Sequence, residues 1–304
     1  MSPIVQAFRT IITPEAVYTI AMRLLPAVPA SMSPPQVPPW NRQLLTGHRG
    51  AAAYARENSL ASFLLAIEMG ADILECDVRM TRDRALVLAH DGIVGRGRAT
   101  TRIAWETEAD LRARVPDLLS LADLLGVVQA RGVLLNVDLK VSEAEVALVG
   151  MLAAHDLLHR TVVTSRASYQ LRRLRALAPA LRLGLSKGSS PPRGPHGAPE
   201  WGALVSQRPL LPRALPTILH RARADAAYLH HRLITPPLAA ALHRAGFGLY
   251  AWTVDAPADA ERLIGWGVDG ITTNRPDHIR PLMLALPNTI NDEKEVPHGR
   301  HNSR

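Results

Sequence analysis

Apolar and polar positions along this chain follow two alternating periods. Short apolar runs of strand length, bounded by Gly, Asp or Asn, give way to longer stretches in which apolar residues recur every three or four positions. That alternation predicts strand–helix units, the mark of a parallel sheet with crossover helices. Strands are expected near 44–47, 73–78, 132–138, 161–164, 181–185, 226–229, 248–253 and 269–272, with helices filling the gaps. The segment SLASFLLAIEMG at 59–70 starts on a Ser cap and ends at Gly70, and SEAEVALVGMLAAH at 142–155 opens with a Ser-x-x-Glu capping box. The run 84–89 is expected to fold back as a hairpin arm on the second strand, carrying His90 with it.

Composition narrows the classes. Hydrophobic residues make up 47% of the 304 positions but aromatics only 4%, so a large core must be built from Ala, Leu, Val and Ile. No uncharged apolar run reaches the ~18 residues of a membrane-spanning helix. The net charge of +8 invites a nucleic-acid reading, but the arginines are spread over helical faces, as in RTVVTSRASYQLRRLRAL, without interleaved aromatics or a recognition motif. Nucleic acid is therefore not an expected partner; the excess charge would attract anionic small molecules or, weakly, acidic lipid surfaces. A single cysteine rules out an internal disulfide and fits a reducing compartment, so cytoplasmic placement is the expectation.

The candidate chemistry lies at the strand ends. Side chains two apart on a strand share a face, so in ADILECDVRM Glu75 and Asp77 project together and Cys76 faces the other way. GVLLNVDLK repeats the design, with Asn136, Asp138 and Lys140 on one face. If the two strands are neighbours, Asp138 completes a carboxylate trio. Three such acids in one cleft would repel one another, which asks for a cation, and oxygen donors alone suit Mg2+ or Ca2+ better than Zn2+. His48 and His90 each end a short apolar strand, LLTGH and ALVLAH, whereas His155, His159, His220, His230, His231 and His243 read as packed or solvated. Two imidazoles flanking a phosphorus centre would act as base and acid in an in-line displacement. Arg49 offers a guanidinium fork matched to phosphate oxygens.

These residues, HRG at 48–50, RENS at 56–59, ECD at 75–77 and HD at 90–91, resemble the opening pattern of the glycerophosphodiester phosphodiesterase family. PDLLSLADLL at 116–125 is similar to that family's Pro-Thr-Leu helix start, and LYAWTVDAPADAERLIGWGVDGITTNRPD at 249–277 to its closing strand–helix–strand. The resemblance implies an α/β fold, a single-domain TIM-type (β/α)8 barrel, and a chain of this length fits one, since such a barrel needs roughly 250 residues. It further implies a small-molecule phosphodiester substrate and one divalent cation, held by Glu75, Asp77 and Asp138. His48 and His90 would be the acid/base pair, Arg49 a phosphate contact, Lys140 a nearby positive charge and Trp252 a pocket wall. Glu57 and Asn58 would give close support. In this family a substrate hydroxyl commonly attacks first, giving a cyclic phosphate that water then opens.

Departures from the pattern bear on substrate. Asp138 stands where these hydrolases have Glu, and Asp-Leu-Lys at 138–140 is more similar to the sphingomyelinase D-type phospholipases, which stop at the cyclic phosphate. Arg56 replaces a proline, and Ser165-Arg166 replaces a Ser-Phe pair. A lyase-like cyclisation and a non-catalytic phosphate-binding barrel are thus the alternatives, with a two-carboxylate glycosidase behind them. Outside the barrel, expected at 41–285, residues 1–40 read as a helix capping the barrel bottom, in preference to an interfacial helix, followed by the proline-rich linker SMSPPQVPPW. As a secretion signal that stretch is poor, because Pro14, Glu15 and Arg23 interrupt it. The tail at 286–304 reads as solvated and disordered, and the Pro/Gly-rich loop at 186–201 offers Lys187 and Trp201 as specificity candidates.

Overall fold

The computed structural model describes residues 43–95, 97, 100–188 and 205–285. In chain order the strands are β1 (Leu44–His48), β2 (Ile73–Met80), β3 (Leu86–Leu88), β4 (Ile93–Val94), β5 (Thr101–Arg102), β6 (Leu134–Leu139), β7 (Thr161–Ser165), β8 (Arg182–Lys187), β9 (Ala226–His230), β10 (Gly248–Trp252) and β11 (Gly270–Thr273). The helices are α1 (Leu60–Glu68), α2 (Glu108–Arg114), α3 (Leu121–Arg131), α4 (Glu145–Ala154), α5 (Ser168–Leu177), α6 (Leu211–Ala222), α7 (Pro236–Arg244), α8 (Pro257–Gly265) and α9 (Pro276–Ala285). Parallel pairing runs from β1 through β2 and then β6 to β11 in turn, and β11 returns to β1, closing an eight-stranded barrel with helices between the strands. β3 lies antiparallel on β2, with Val78 opposite Leu88, which is the hairpin arm expected before His90. All eight barrel strands fall where the apolar runs placed them, although β2 continues to Met80 and β8 to Lys187.

Strand alternation divides the core into two. Outward-facing Leu45, Leu74, Cys76, Leu135, Val137, Val163, Leu183 and Ile271 are buried against the helical layer. The inward set, Leu44, Ile73, Leu134, Val162, Ala226, Tyr228 and Tyr250, fills the barrel floor, where the two tyrosine rings stack with centroids 4.5 Å apart. Room for these rings comes from opposing glycines: a Cβ on Gly184 would come within 2.5 Å of the Tyr228 ring. With the floor plugged by side chains, the next inward residues of each strand are left to build a site at the C-terminal mouth.

Helix starts follow local chemistry, with one correction. Ser59 caps α1, accepting from the Ser62 amide, and Ser120 with Asp123 forms a reciprocal capping box on α3. The box expected at Ser142 and Glu145 does not form: α4 starts at Glu145 after Ala144, with no side-chain cap. Glu143 adopts a left-handed φ of 68°, which turns the chain away between Ser142 and the first helical turn. Glu145 is instead fully buried, with Arg173 3.8 Å away. The expected N-terminal helix, the linker, the tail and Trp201 lie outside the described residues. Among the described residues no helix is long and apolar enough to cross a membrane.

Candidate active site

The site begins where β1 ends. After His48 the chain turns through Arg49 and Gly50, both left-handed with φ of 52° and 86°. That conformation is costly for arginine, and several contacts hold it. The Arg49 amide donates to Glu75 Oε2 at 2.9 Å, and its carbonyl accepts from Ser62 Oγ at 2.8 Å and the Asn58 amide at 3.1 Å. At Gly50 any Cβ would meet the Ser62 backbone at 2.4 Å, so only glycine lets the turn lie this close to α1.

Strand register then assembles the acids. β1–β2 pairing sets His48 beside Glu75, and β2–β6 pairing sets Asp77 beside Asp138. One oxygen from each of Glu75, Asp77 and Asp138 lies within 4.8 Å of the others. A hard cation with metal–oxygen bonds of about 2.0–2.6 Å can span such a set. Burial, followed by the charges of Asp77 and Asp138, pushes the Glu75 carboxyl well above its ordinary range. Burial acts upward on Asp77 too, but Lys140, Arg49 and the Asn58 amide together hold it low. Asn58 donates from Nδ2 to Asp77 Oδ2 at 2.9 Å and accepts from the Asp77 amide at 3.2 Å. Lys140 lies 2.9 Å from Asp77 Oδ1 and also ion-pairs with Asp138. The Asp77 Oδ1 contact is ionic without hydrogen-bond geometry, which leaves a buried carboxylate oxygen with no hydrogen bond. An all-oxygen donor set and a carboxyl whose charge is disfavoured by its acidic neighbours fit a hard divalent cation.

The two histidines are held differently. His48 Nδ1 lies 2.8 Å from Asn274 Oδ1, while Asn274 Nδ2 donates to Asp255 Oδ2 at 2.8 Å. Because Asp255 takes the amide hydrogens, Asn274 presents its carbonyl to His48, so His48 Nδ1 carries the hydrogen and Nε2 keeps its lone pair. Burial, and next the Arg49 charge, pushes His48 down to about 4, so the ring is neutral at ordinary pH. His90 is more open; its Nδ1 contacts Asp91 Oδ1 at 2.8 Å, and Arg79 clamps its carbonyl oxygen from Nε at 3.0 Å and Nη2 at 2.7 Å.

One cavity of about 420 Å³ is lined by His48, Arg49, Glu75, Asp77, His90, Asp138, Lys140 and Trp252. Glu57 and Asn58 stand behind it, Glu57 accepting from Arg49 Nη1 at 2.6 Å and Asn58 holding Asp77. Lys187 lies one residue out of phase with inward-facing Ser186 and does not line the cavity. Sequence reasoning missed Asn274, Asp255, Arg79 and Thr164, whose hydroxyl donates to Asp138 Oδ1 at 3.2 Å. His230, read as packed, is buried, with its ring edge-on to Trp252 at 5.4 Å. A larger open groove of about 820 Å³ beside α6 and α7 carries Arg208, Arg213 and Arg244 but neither acid nor histidine.

A closed (β/α)8 barrel with three acids, two imidazoles and two anchored cations at its strand ends has the layout of a barrel enzyme's active site. The profile of the glycerophosphoryl diester phosphodiesterase family matches residues 48–278. The glycerophosphodiester phosphodiesterase of Caldanaerobacter subterraneus subsp. tengcongensis is 29% identical over 265 residues, covering 80% of this chain and 98% of that one. An Oleispira antarctica phosphodiesterase, solved with the product sn-glycerol-3-phosphate, superposes with a TM-score of 0.66 at 21% identity, over 80% of this chain and 98% of its own. The Thermotoga maritima glycerophosphodiester phosphodiesterase gives a TM-score of 0.63 at 20% identity, over 79% and 98% respectively, and these two structures speak for the fold. The chain belongs to the glycerophosphoryl diester phosphodiesterase family, and with it to the phosphoric diester hydrolases.

Proposed function

We propose that the chain is a divalent-metal-dependent glycerophosphodiester phosphodiesterase in which His48 and His90 move the two protons of the reaction. The observation that carries this reading is the convergence of the Glu75, Asp77 and Asp138 oxygens, within 4.8 Å of one another, in the cavity that both histidines line. Those three acids would hold Mg2+ or Ca2+. Such an ion, when bound, offsets negative charge on the phosphoryl oxygens.

The chain's own groups supply the rest. A glycerol hydroxyl next to the phosphodiester attacks phosphorus, and its proton passes to the free Nε2 of His48. The bond from phosphorus to the second alcohol breaks, and His90 gives that alcohol oxygen a proton. Each transfer typically contributes roughly 10² to 10⁴ in rate. The product is a cyclic phosphate, which water opens to glycerol phosphate with the two imidazoles in exchanged roles. Arg49 and Lys140 are already fixed by Glu57, Asp77 and Asp138, so their charge faces phosphate oxygens without first ordering a long side chain. Trp252 forms an apolar wall against the carbon skeleton. Glu57 and Asn58 support from behind.

The Asp138-Leu139-Lys140 triplet favours a second reading, in which the cyclic phosphate is the end product. A phosphodiester panel turned over with each divalent ion and followed by phosphorus NMR separates the two. Glycerol phosphate as the final signal supports hydrolysis, a persistent cyclic signal supports the lyase outcome, and no turnover with any ion rejects both.

A further inference from the structure

The scheme above leaves one cation in the cavity without a task. Arg49 and Lys140, the other lysine or arginine side chains lining it among the described residues, are both tied to Asp77. Arg166 lines the same cavity, is exposed, and among the described residues has no hydrogen bond or ion pair. It lies just past the end of β7, two residues on from Thr164, at the mouth of the cavity. The wall beyond it contains Ser186, Gly188 and Trp252 and, among the described residues, no acid.

β7 stands three strands round the ring from β1, which carries His48. In an in-line displacement the leaving oxygen points away from the attacking hydroxyl. With the attacker beside His48, the leaving oxygen meets His90, which stands over β2, and the rest of the departing alcohol extends past β6 toward the wall that Arg166 tops. Charge gives the same answer. The phosphate and the bound ion are matched by the acids, Arg49 and Lys140, which leaves the Arg166 guanidinium to meet whatever the leaving alcohol carries. A quaternary ammonium there would be repelled; a carboxylate or a second phosphate would be clasped by the planar fork. We propose that Arg166 makes this enzyme selective for glycerophosphodiesters whose leaving alcohol bears an anionic group. This rests on the catalytic reading given above.

The test uses the full chain loaded with Mg2+ or Ca2+ and three diesters of glycerol phosphate, with glycerate, glycerol and choline as the second alcohol. A partly exposed charge pair supports about a tenfold preference in kcat/KM for glycerate over glycerol, ~1.4 kcal/mol, with choline the poorest. Arg166→Gln should reduce the glycerate-to-glycerol ratio to within about twofold, whichever way the absolute rates move, and Arg166→Lys should keep part of it. Added salt should shrink the preference in the parent chain but not in Arg166→Gln. A parent ratio near one, or a ratio that survives Arg166→Gln, overturns the proposal. Calorimetric binding of the corresponding phosphonate analogues reads the same preference without turnover. An absence of turnover would therefore reject the catalytic reading alone, and the analogue ratio would still decide the role of Arg166.

Discussion

Asn274→Ala is the most informative single change, because it acts on catalysis through the tautomer and the orientation of His48. In the parent chain the 2.8 Å contact from His48 Nδ1 to Asn274 Oδ1 satisfies the ring N–H in a partly buried setting. A ring flipped to the other tautomer would face that carbonyl with a lone pair and leave both groups unpaired. An unsatisfied buried polar group costs about 1–3 kcal/mol, so the hydrogen bond biases the base-competent tautomer roughly 5- to 150-fold. Removing the carbonyl erases that bias, which by itself lowers the base-competent population only a few-fold, and frees the ring to rotate, where misorientation can cost about 10²-fold; kcat should therefore fall about 10²-fold while KM changes little. The assay is steady-state turnover of a glycerophosphodiester at saturating divalent ion, paired with nitrogen-15 NMR of the imidazole. The parent spectrum should show His48 protonated at Nδ1, with the variant showing a mixture. Turnover within threefold of the parent, or a parent ring protonated at Nε2, would refute the reasoning.

The remaining predictions follow from the same contacts. Since burial and Arg49 lower His48 to about 4, its ring stays neutral as pH falls through 6 and is protonated only near 4; the acid limb of kcat/KM assigned to this group should lie near 4, and a limb at 6 to 7 that vanishes in His48→Ala would contradict it. Asn58→Ala removes two hydrogen bonds to buried Asp77, one of them to its carboxylate, and should cost ~2–3 kcal/mol in urea unfolding; a loss under ~0.5 kcal/mol would show that Asp77 is held by its cations alone. Gly184→Ala forces a methyl within 2.5 Å of the Tyr228 ring, so a loss of about 1–3 kcal/mol is expected by thermal unfolding, and an unchanged midpoint would mean that the tyrosine stack yields freely.

Much of the barrel was legible because two-residue alternation is a local signal. Glu75 and Asp77 had to share a face, Cys76 had to join the outer layer, and Asp138 had to sit beside Asp77 once β6 lay next to β2. Asn274 was not read, although it continues the inward phase of Gly270 and Thr272, because its partner is on β1 and only closure of β11 onto β1 brings them together. Asp255 was hidden for the same reason: its role is to orient Asn274, and no local pattern distinguishes it from a surface acid. The false capping box at Ser142 shows the opposite failure. There the local pattern was correct in type, but the left-handed Glu143 and the burial of Glu145 decided the helix start. Arg166 was visible as a departure from the family pattern, yet only the structure places it in the cavity, without a partner among the described residues.

The central claim is that a hard cation between Glu75, Asp77 and Asp138 makes the two-histidine chemistry possible. Its most direct test is the rate of glycerophosphodiester turnover by metal-stripped chain as Mg2+ or Ca2+ is returned stepwise, run in parallel with Glu75→Gln. Negligible turnover is expected without metal, with saturable recovery at one ion per chain in the parent and a recovery in Glu75→Gln that is shifted to much higher ion concentration or lost. Full turnover by stripped protein, or identical titration curves for the parent and Glu75→Gln, would contradict it.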